Sequence, residues 1–469
     1  MRRPNILILY TDQQRWDALG ANGNVEIRTP HLDRLASEGV NFDHCFVQNP
    51  VSMPSRVSFL TGRYPSSLGL SHMGVPVPPD TVTLPRLLRG YGYTSGQIGK
   101  LHFLPHANRD HREPHPDYGF DHLEICDDPG CYHDAYRAWV AARAPDQLDL
   151  VSLGPAPGAI DWKRVMGVED GIVHPEERFP KRPLASRCRS DLTNTAFVAE
   201  QTMEFVAAHN GGPFLCVSGF YSPHSPWVAP QEFIDRYDPE ALTVPTFPPE
   251  LEAQRRDGHF SDEELRGARQ GYYAMVSEVD HHVGRILDHL DSLGIADNTI
   301  VVFTSDHGEW LGEHLQYGKG HPGHDQVTRV PLLMRWPSGA RGGLRVSRVV
   351  EALDVLPSLL EAAAIQRPYD LQGTSLLPDL RGERASGPGC AITEMTEGER
   401  NWKTLRLDGL RYVVESSGEE ALFDLERDPE AYVDVAADTA YAGRLHEARR
   451  TLLRRLLERE RPAPRQWTY

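Results

Sequence analysis

Two acidic residues stand at the ends of two separate apolar runs, each followed by a second potential ligand. Asp12 and Gln13 come after Ile6-Leu7-Ile8-Leu9-Tyr10, and Asp306 and His307 come after Thr299 to Thr304. A hard divalent cation needs several oxygen ligands converging on one point. The two carboxylates and the Gln13 side-chain carbonyl supply oxygen, and His307 adds nitrogen. A single Asp-His pair after a strand is commonly only a turn. The same pattern at two strand ends favours a metal site made of Asp12, Gln13, Asp306 and His307.

The positive residues point the same way. Arg56, Lys100 in GKLHF, His102, His224 in YSPHSPW and Lys319 in YGKGH all sit in polar, turn-rich stretches near expected strand ends. Either lysine alone reads as a solvated surface residue. Together these residues offer forked and point-charge contacts to a tetrahedral oxyanion. His102 and His224 titrate near pH 7, so either can protonate a leaving oxygen. A weaker grouping, His122, Cys126, Cys131 and His133 in HLEICDDPGCYH, allows a zinc clip, but its irregular spacing favours free thiols in a loop.

These residues must be positioned by regular elements. The continuous apolar run from Pro4 to Tyr10 suits a strand buried on both faces of a parallel sheet. Thr29 to Gly39 carries a cap, a first-turn proline and a terminal glycine, so it predicts a helix. Leu84 to Gly90 followed by Tyr93 to Ile98, and Asn194 to Ala208 followed by Phe214 to Phe220, repeat the helix–strand alternation. Met275, Val276, Val279, Val283, Ile286, Leu287, Leu290 and Leu293 trace one helical face stopped by Gly294, just before the Thr299 strand. The expected fold is α/β, a large mainly parallel sheet flanked by helices. In such sheets ligands bind beyond the carboxyl ends of the strands, where Asp12, Tyr221 to His224 and Asp306 all fall.

From about residue 390 the texture changes to short alternating runs: Trp402 to Leu407, Leu410 to Glu415, Ala421 to Leu425. They predict a small antiparallel sheet, with Tyr441 to Arg459 as an amphipathic helix packed on it. The division expected is a catalytic domain over 1–385 and a small C-terminal α+β subdomain over 386–469. Residues 105–190, rich in Pro, His, Asp and Arg, read as long loops on the active-site side.

Composition bounds the function. With 40% apolar and 25% charged residues, the 469-residue chain is an ordinary globular protein. Its net charge of −17 provides no global field for nucleic acid or anionic lipid, so an anionic substrate must be held by a local cluster. The run from Ile6 to Tyr10 is far short of the ~20 residues a membrane span needs, and too short for a secretory leader. Six cysteines do not form a disulfide framework in a chain of this length. A cytoplasmic address is expected, or a periplasmic one if a leader has been removed.

The stretch SMPSRVSFLTG, residues 52 to 62, resembles the signature of the sulfatases of the alkaline phosphatase superfamily: Cys or Ser, any residue, Pro, Ser, Arg, then Leu-Thr-Gly. PNILILYTDQQ, GYGYTSGQIGKLHF, FYSPHSPWVAP, DNTIVVFTSDHGEWLGEH and TRVPLLMRWP extend the resemblance, and RYVVESSGEEALFDLERDPEA is similar to the family's C-terminal sheet. The resemblance implies hydrolysis of a small anionic sulfate ester by an arylsulfatase-like enzyme. It also implies that a maturation enzyme oxidises Ser52 to formylglycine, whose hydrate attacks sulfur and whose sulfated form collapses to release sulfate. Arg56 would hold the formylglycine and its metal-bound oxygen, and His102 would orient the hydrate. Lys100, His224 and Lys319 would bind the sulfate group, with His224 also the acid for the leaving group. Asp12, Gln13, Asp306 and His307 would hold one divalent ion: calcium by family, with manganese or another ion open. The serine is either matured as it stands, which usually needs an oxygen-independent maturation enzyme, or replaces a native cysteine.

Many sulfatases carry Asp and Asn where this chain has Gln13 and His307. The Gln and His pairing is similar to relatives that hydrolyse phosphonate monoesters and phosphodiesters, which is the alternative activity. Direct attack by Ser52 in a two-metal site needs a second ligand cluster, and FYSPHSPW offers no carboxylate for it. An inactive binding protein has no need of His102 and His224. The alcohol pocket is expected among residues 105–190 and around His72 and Trp227.

Overall fold

The computed structural model describes residues 3–106, 111, 113–154, 157–167, 169, 171–176, 180–255, 260–320, 323–383 and 387–460. The expected boundary at 385/386 lies outside the described residues. Eight strands run β1 Asn5–Thr11, β2 Val40–Phe46, β3 Thr94–Gly99, β4 His122–Ile125, β5 Phe214–Gly219, β6 Thr299–Ser305, β7 Leu332–Arg335 and β8 Leu344–Glu351. They form one large sheet in the order β8-β2-β7-β6-β1-β5-β3-β4, joined by a short Arg329–Val330 segment on β2. β1 is parallel to β5 and β6, β3 is parallel to β4 and β5, and β8 is parallel to β2; only β7 and the short segment run antiparallel.

The principal helices are α1 Pro30–Glu38, α2 Ser52–Thr61, α3 Asn194–His209, α4 Asp262–Ser292 and α5 Ala442–Glu458. They explain why β1 is apolar from Ile6 to Tyr10. Ile6, Ile8 and Tyr10 pack on one face with Val57 and Leu60 of α2, while Leu7 and Leu9 pack on the other with Val279 and Val283 of α4. A strand covered on both sides has no solvent face, so period-two alternation is lost. α4 begins well before its periodic core face: the Ser261 hydroxyl accepts from the Glu264 amide, and Asp262, Glu263 and Glu264 fill the first turn. Acidic residues there complement the positive end of the helix dipole.

Residues 105–190 are not all loop. The sheet-edge strand β4 and helices over Ala135–Arg143 and Pro157–Met166 lie within them. The sequence hid the first helix because its buried set includes Arg137, which breaks the apolar stripe between Tyr136, Trp139 and Val140.

The second sheet is antiparallel, β9 Cys390–Glu397, β10 Arg400–Leu407, β11 Leu410–Glu415 and β12 Glu420–Asp424 in sequential order. Ile392, Leu405 and Leu422 pack against Leu445 and Leu452 of α5. The Arg455 guanidinium of α5 donates to Tyr64 (2.9 Å) and to Glu351 at the end of β8 (2.7 Å), tying this sheet to the large one. Among the described residues no helix is long and apolar enough to cross a membrane.

Candidate active site

Strand register brings the separated segments together. β1 and β6 run in step from Asn5 opposite Thr299 to Thr11 opposite Ser305, so Asp12 and Asp306 leave the sheet side by side. On the other flank Tyr10 pairs with Gly219, and Gly219 with Gly99. A Cβ on Gly99 (φ +76°) would lie 2.2 Å from the Gly219 carbonyl oxygen, and one on Gly219 would lie 2.1 Å from that of Lys100. Only two glycines permit this approach, and it delivers Lys100 to the carboxyl edge beside Asp12.

α2 supplies the third side. All ten of its residues are buried, and Ser52 is the first of them, after the extended Val51. Its polar residues are satisfied locally: Thr61 donates to the Val57 carbonyl (2.7 Å) and Ser58 to that of Arg63 (2.7 Å). The helix ends at Gly62 in the left-handed region (φ +66°). Ser52 therefore sits at the positive end of a buried helix, where an anion is favoured.

Around the Ser52 hydroxyl the contacts are dense. Its Oγ lies 3.0 Å from Lys319 Nζ, 3.0 Å from His307 Nε2 and 3.4 Å from Asp12 Oδ2. Lys100 Nζ is 2.8 Å from Asp12 Oδ2, and Lys319 Nζ donates to His224 Nε2 at 3.2 Å. Arg56 binds Asp306 Oδ2 through Nε (2.7 Å), the Lys100 carbonyl through Nη1 (2.9 Å) and Asp12 Oδ2 through Nη2 (3.4 Å). Its guanidinium also lies 4.8 Å from the Tyr10 ring centroid. Arg56, Lys100 and Lys319 thus face the carboxylates of Asp12 and Asp306.

Electrostatics fixes the resting protonation states. Burial alone would raise the Asp12 carboxyl, but Lys100, then Lys319, His224 and Arg56, hold it well below the usual range. Burial pushes His224 well below 6.5, and Lys319 adds to the shift. Neutral His224 then donates from Nδ1 to the Ser225 carbonyl (2.6 Å) and accepts from Lys319 at Nε2. Burial also lowers Lys319 from the ordinary lysine value. His307 is pushed down to about 4 by burial. Its Nδ1 bonds the Gly308 carbonyl (2.8 Å), which turns the Nε2 lone pair toward Ser52 and the two aspartates.

The residues fit a divalent ion. Ligand atoms of Asp12, Asp306 and His307 all lie within 4.8 Å of one another, the only such grouping of three or more among the described residues. Two fully buried oxygens, Asp12 Oδ1 and Gln13 Oε1, have no hydrogen-bond donor there. Buried polar atoms without partners are costly, and a hard cation satisfies both. Gln13 is held for this in the left-handed region (φ +71°) by its own N–H to Asp306 Oδ1 (3.0 Å) and by the Tyr272 hydroxyl donating to its carbonyl (2.7 Å). Its side-chain amide donates to Glu309, leaving the amide oxygen unengaged.

Nine of the ten residues expected from the sequence are thereby linked: Asp12, Gln13, Ser52, Arg56, Lys100, His224, Asp306, His307 and Lys319. His102 is placed differently. Its backbone is left-handed (φ +55°), its N–H and that of Leu101 bond Asp127 Oδ1 (2.9 Å each), and its ring stacks on His106 at 4.9 Å. It borders the cluster through the charges of Lys100 and Asp12; burial, with Lys100, holds it well below 6.5.

Sequence reasoning missed Glu309, which orients Gln13, and Asp127, which shapes the His102 turn. Both stand within stretches already singled out, Glu309 three residues after Asp306 and Asp127 in the supposed zinc loop. Among the described residues His122, Cys126, Cys131 and His133 form no metal grouping: Cys131 Sγ donates to the Gly154 carbonyl (3.0 Å), Cys126 accepts from Asn194, and all six cysteines are buried and outside any disulfide.

Residues 4–365 match the profile of a protein family described as Sulfatase. An arylsulfatase of Clostridium perfringens is 29% identical across 98% of this chain and 95% of its own. An ulvan-active sulfatase of Formosa agariphila is 30% identical across 91% of this chain and 76% of its own. A phosphonate monoester hydrolase structure from Agrobacterium radiobacter superposes with a TM-score of 0.83, covering 98% of this chain and 96% of its own at 24% identity, a likeness of fold.

Proposed function

This chain belongs to the sulfatase family, and from that premise we propose that the cluster around Ser52 is where it hydrolyses a sulfate monoester. The observation that carries the reading is the meeting of Lys319, His307 and Asp12 on one serine oxygen, 3.0, 3.0 and 3.4 Å away, at the positive end of a buried helix. Conversion of Ser52 to formylglycine by a maturation enzyme would supply the nucleophilic oxygen that an unactivated hydroxyl does not. One divalent ion held by Asp12, Gln13, Asp306 and His307 would act as a Lewis acid beside the sulfate. The nitrogen ligand suits manganese or zinc better than calcium.

The chain's own groups divide the remaining work. Lys100 and Lys319 hold the sulfate oxygens, and their charge grows more effective as the site loses water. Arg56 locks the Asp12–Asp306 pair in place. Lys319 and His224 share one proton across a 3.2 Å contact, and burial lowers the lysine, so the pair can release that proton to the departing alcohol oxygen. His102 is assigned to orienting the attacking oxygen from the edge of the cluster. A cytoplasmic address belongs to the same reading, and six buried cysteines outside any disulfide support it.

Turnover decides between this reading and its rival. Gln13 and His307 as ligands favour phosphonate monoester or phosphodiester hydrolysis as the second activity. Matured protein is expected to show a higher kcat/KM on 4-nitrophenyl sulfate than on 4-nitrophenyl phenylphosphonate; the reverse order would make the phosphonate reading the primary one. His307→Ala is expected to lower divalent-ion affinity by at least ~100-fold, beyond the loss caused by removing an outer partner of a ligand. Metal content after dialysis checks this, and unchanged content would remove His307 from the ligand set.

A further inference from the structure

Beside the catalytic cluster lies a cavity of about 460 Å³. Its walls come from residues 150–153, 174–176 and 184–188, from the start of α3, from Tyr221 and Ser222 after β5, and from Val228 and Glu278. α3 leads into β5, so its first residues stand at the carboxyl edge of the sheet, the side that carries Ser52. The volume falls within the ~300–1,000 Å³ typical of small-molecule sites.

Tyr221 is the border shared by cavity and cluster. Its ring lies 4.9 Å from Lys100 Nζ and its centroid 5.0 Å from that of His224. One residue further on, Ser222 Oγ is 3.1 Å from Thr195 Oγ1, and both line the cavity. We propose that the cavity receives the alcohol part of the ester, and that this alcohol is a hydroxyl-bearing group larger than a single ring. The assignment rests on the sulfatase reading above. The sulfate lies on Lys100 and Lys319, and the alcohol passes the edge of Tyr221 into the cavity.

The lining sets the chemistry. Leu184 and Val228 offer apolar surface from a paired two-residue ladder, while Ser152, Thr195 and Ser222 offer hydroxyls. Mixed walls of this kind suit a group with an apolar face and a hydroxylated edge. Glu278 is the deeply buried carboxyl of the lining; it accepts from Thr193 (2.6 Å), and burial pushes it up to about 7. Arg187 and His174 line the cavity as well, so its walls carry both signs of charge, and a hydroxyl is a partner for either state of Glu278.

The test compares two sulfate esters in matured protein, 4-nitrophenyl sulfate and phenyl glucoside 6-sulfate. In Leu184→Trp, which fills the cavity, the ratio of kcat/KM for the larger ester to that for the smaller is expected to fall at least tenfold, through KM. A ratio within twofold of the unsubstituted protein's would overturn the assignment. Product inhibition of the unsubstituted protein gives a reading that does not depend on the variant's folding. Phenyl glucoside is expected to inhibit at least tenfold more tightly than phenol, and equal inhibition would overturn the assignment too. Failure of the matured protein to hydrolyse either ester would instead remove the proposed function.

Discussion

Ser52→Ala is expected to lose sulfate ester hydrolysis by at least ~10,000-fold, the scale on which removing an enzymatic nucleophile acts, while remaining folded. The side chain is small and stands at the first position of α2, whose helix is held by packing of Val57 and Leu60 rather than by the hydroxyl. What alanine removes is the oxygen on which Lys319, His307 and Asp12 converge. A structural role for Ser52 would give a partial loss together with a lowered unfolding midpoint. A second variant separates position from side chain. Ser52→Cys, produced with a maturation enzyme that accepts cysteine, is expected to keep turnover, because both side chains yield the same aldehyde. Loss of turnover in that variant despite confirmed conversion would contradict the assignment.

Arg56→Ala is expected to cost both stability and activity. The guanidinium is 1% exposed and lies between Asp306 (2.7 Å) and Asp12 (3.4 Å), both fully buried. Removing one member of a buried ion pair leaves the other charge uncompensated, a loss of about 3–5 kcal/mol. Arg56→Lys restores charge but not the fork that spans Asp306, Asp12 and the Lys100 carbonyl. It is expected to recover part of the stability and little of the turnover. Denaturant unfolding of both variants, read at the midpoint with the slope held constant, checks the order. Equal stability of Arg56→Ala and the unsubstituted protein would show that the aspartates do not depend on this residue.

Much of the site was legible in the sequence because its residues follow strand ends. Asp12 and Asp306 each terminate an apolar run, and a parallel sheet in register carries two such ends to one place. The signature around Ser52 supplied the proposed nucleophile position, which spacing alone could not. Other features arise from three-dimensional packing. Glu309 is an ordinary acid in sequence and becomes decisive only because Gln13, left-handed and far away in the chain, turns its amide toward it. His102 reads like its neighbour Lys100, yet a left-handed turn fixed by Asp127 directs its ring onto His106. The helix over Ala135–Arg143 was concealed by a buried arginine, and the cavity has no local signature at all, since its walls come from eight separate stretches.

The central claim is that position 52 carries the reactive group as formylglycine. Peptide mass analysis of the segment containing Ser52-Met53-Pro54-Ser55-Arg56, from protein produced with its maturation enzyme, tests it most directly. The account expects a mass about 2 Da below that of the serine peptide, the loss of two hydrogens on conversion to formylglycine, with sulfate turnover rising in proportion to the converted fraction. Full sulfatase turnover by protein whose residue 52 is entirely unmodified serine would contradict it.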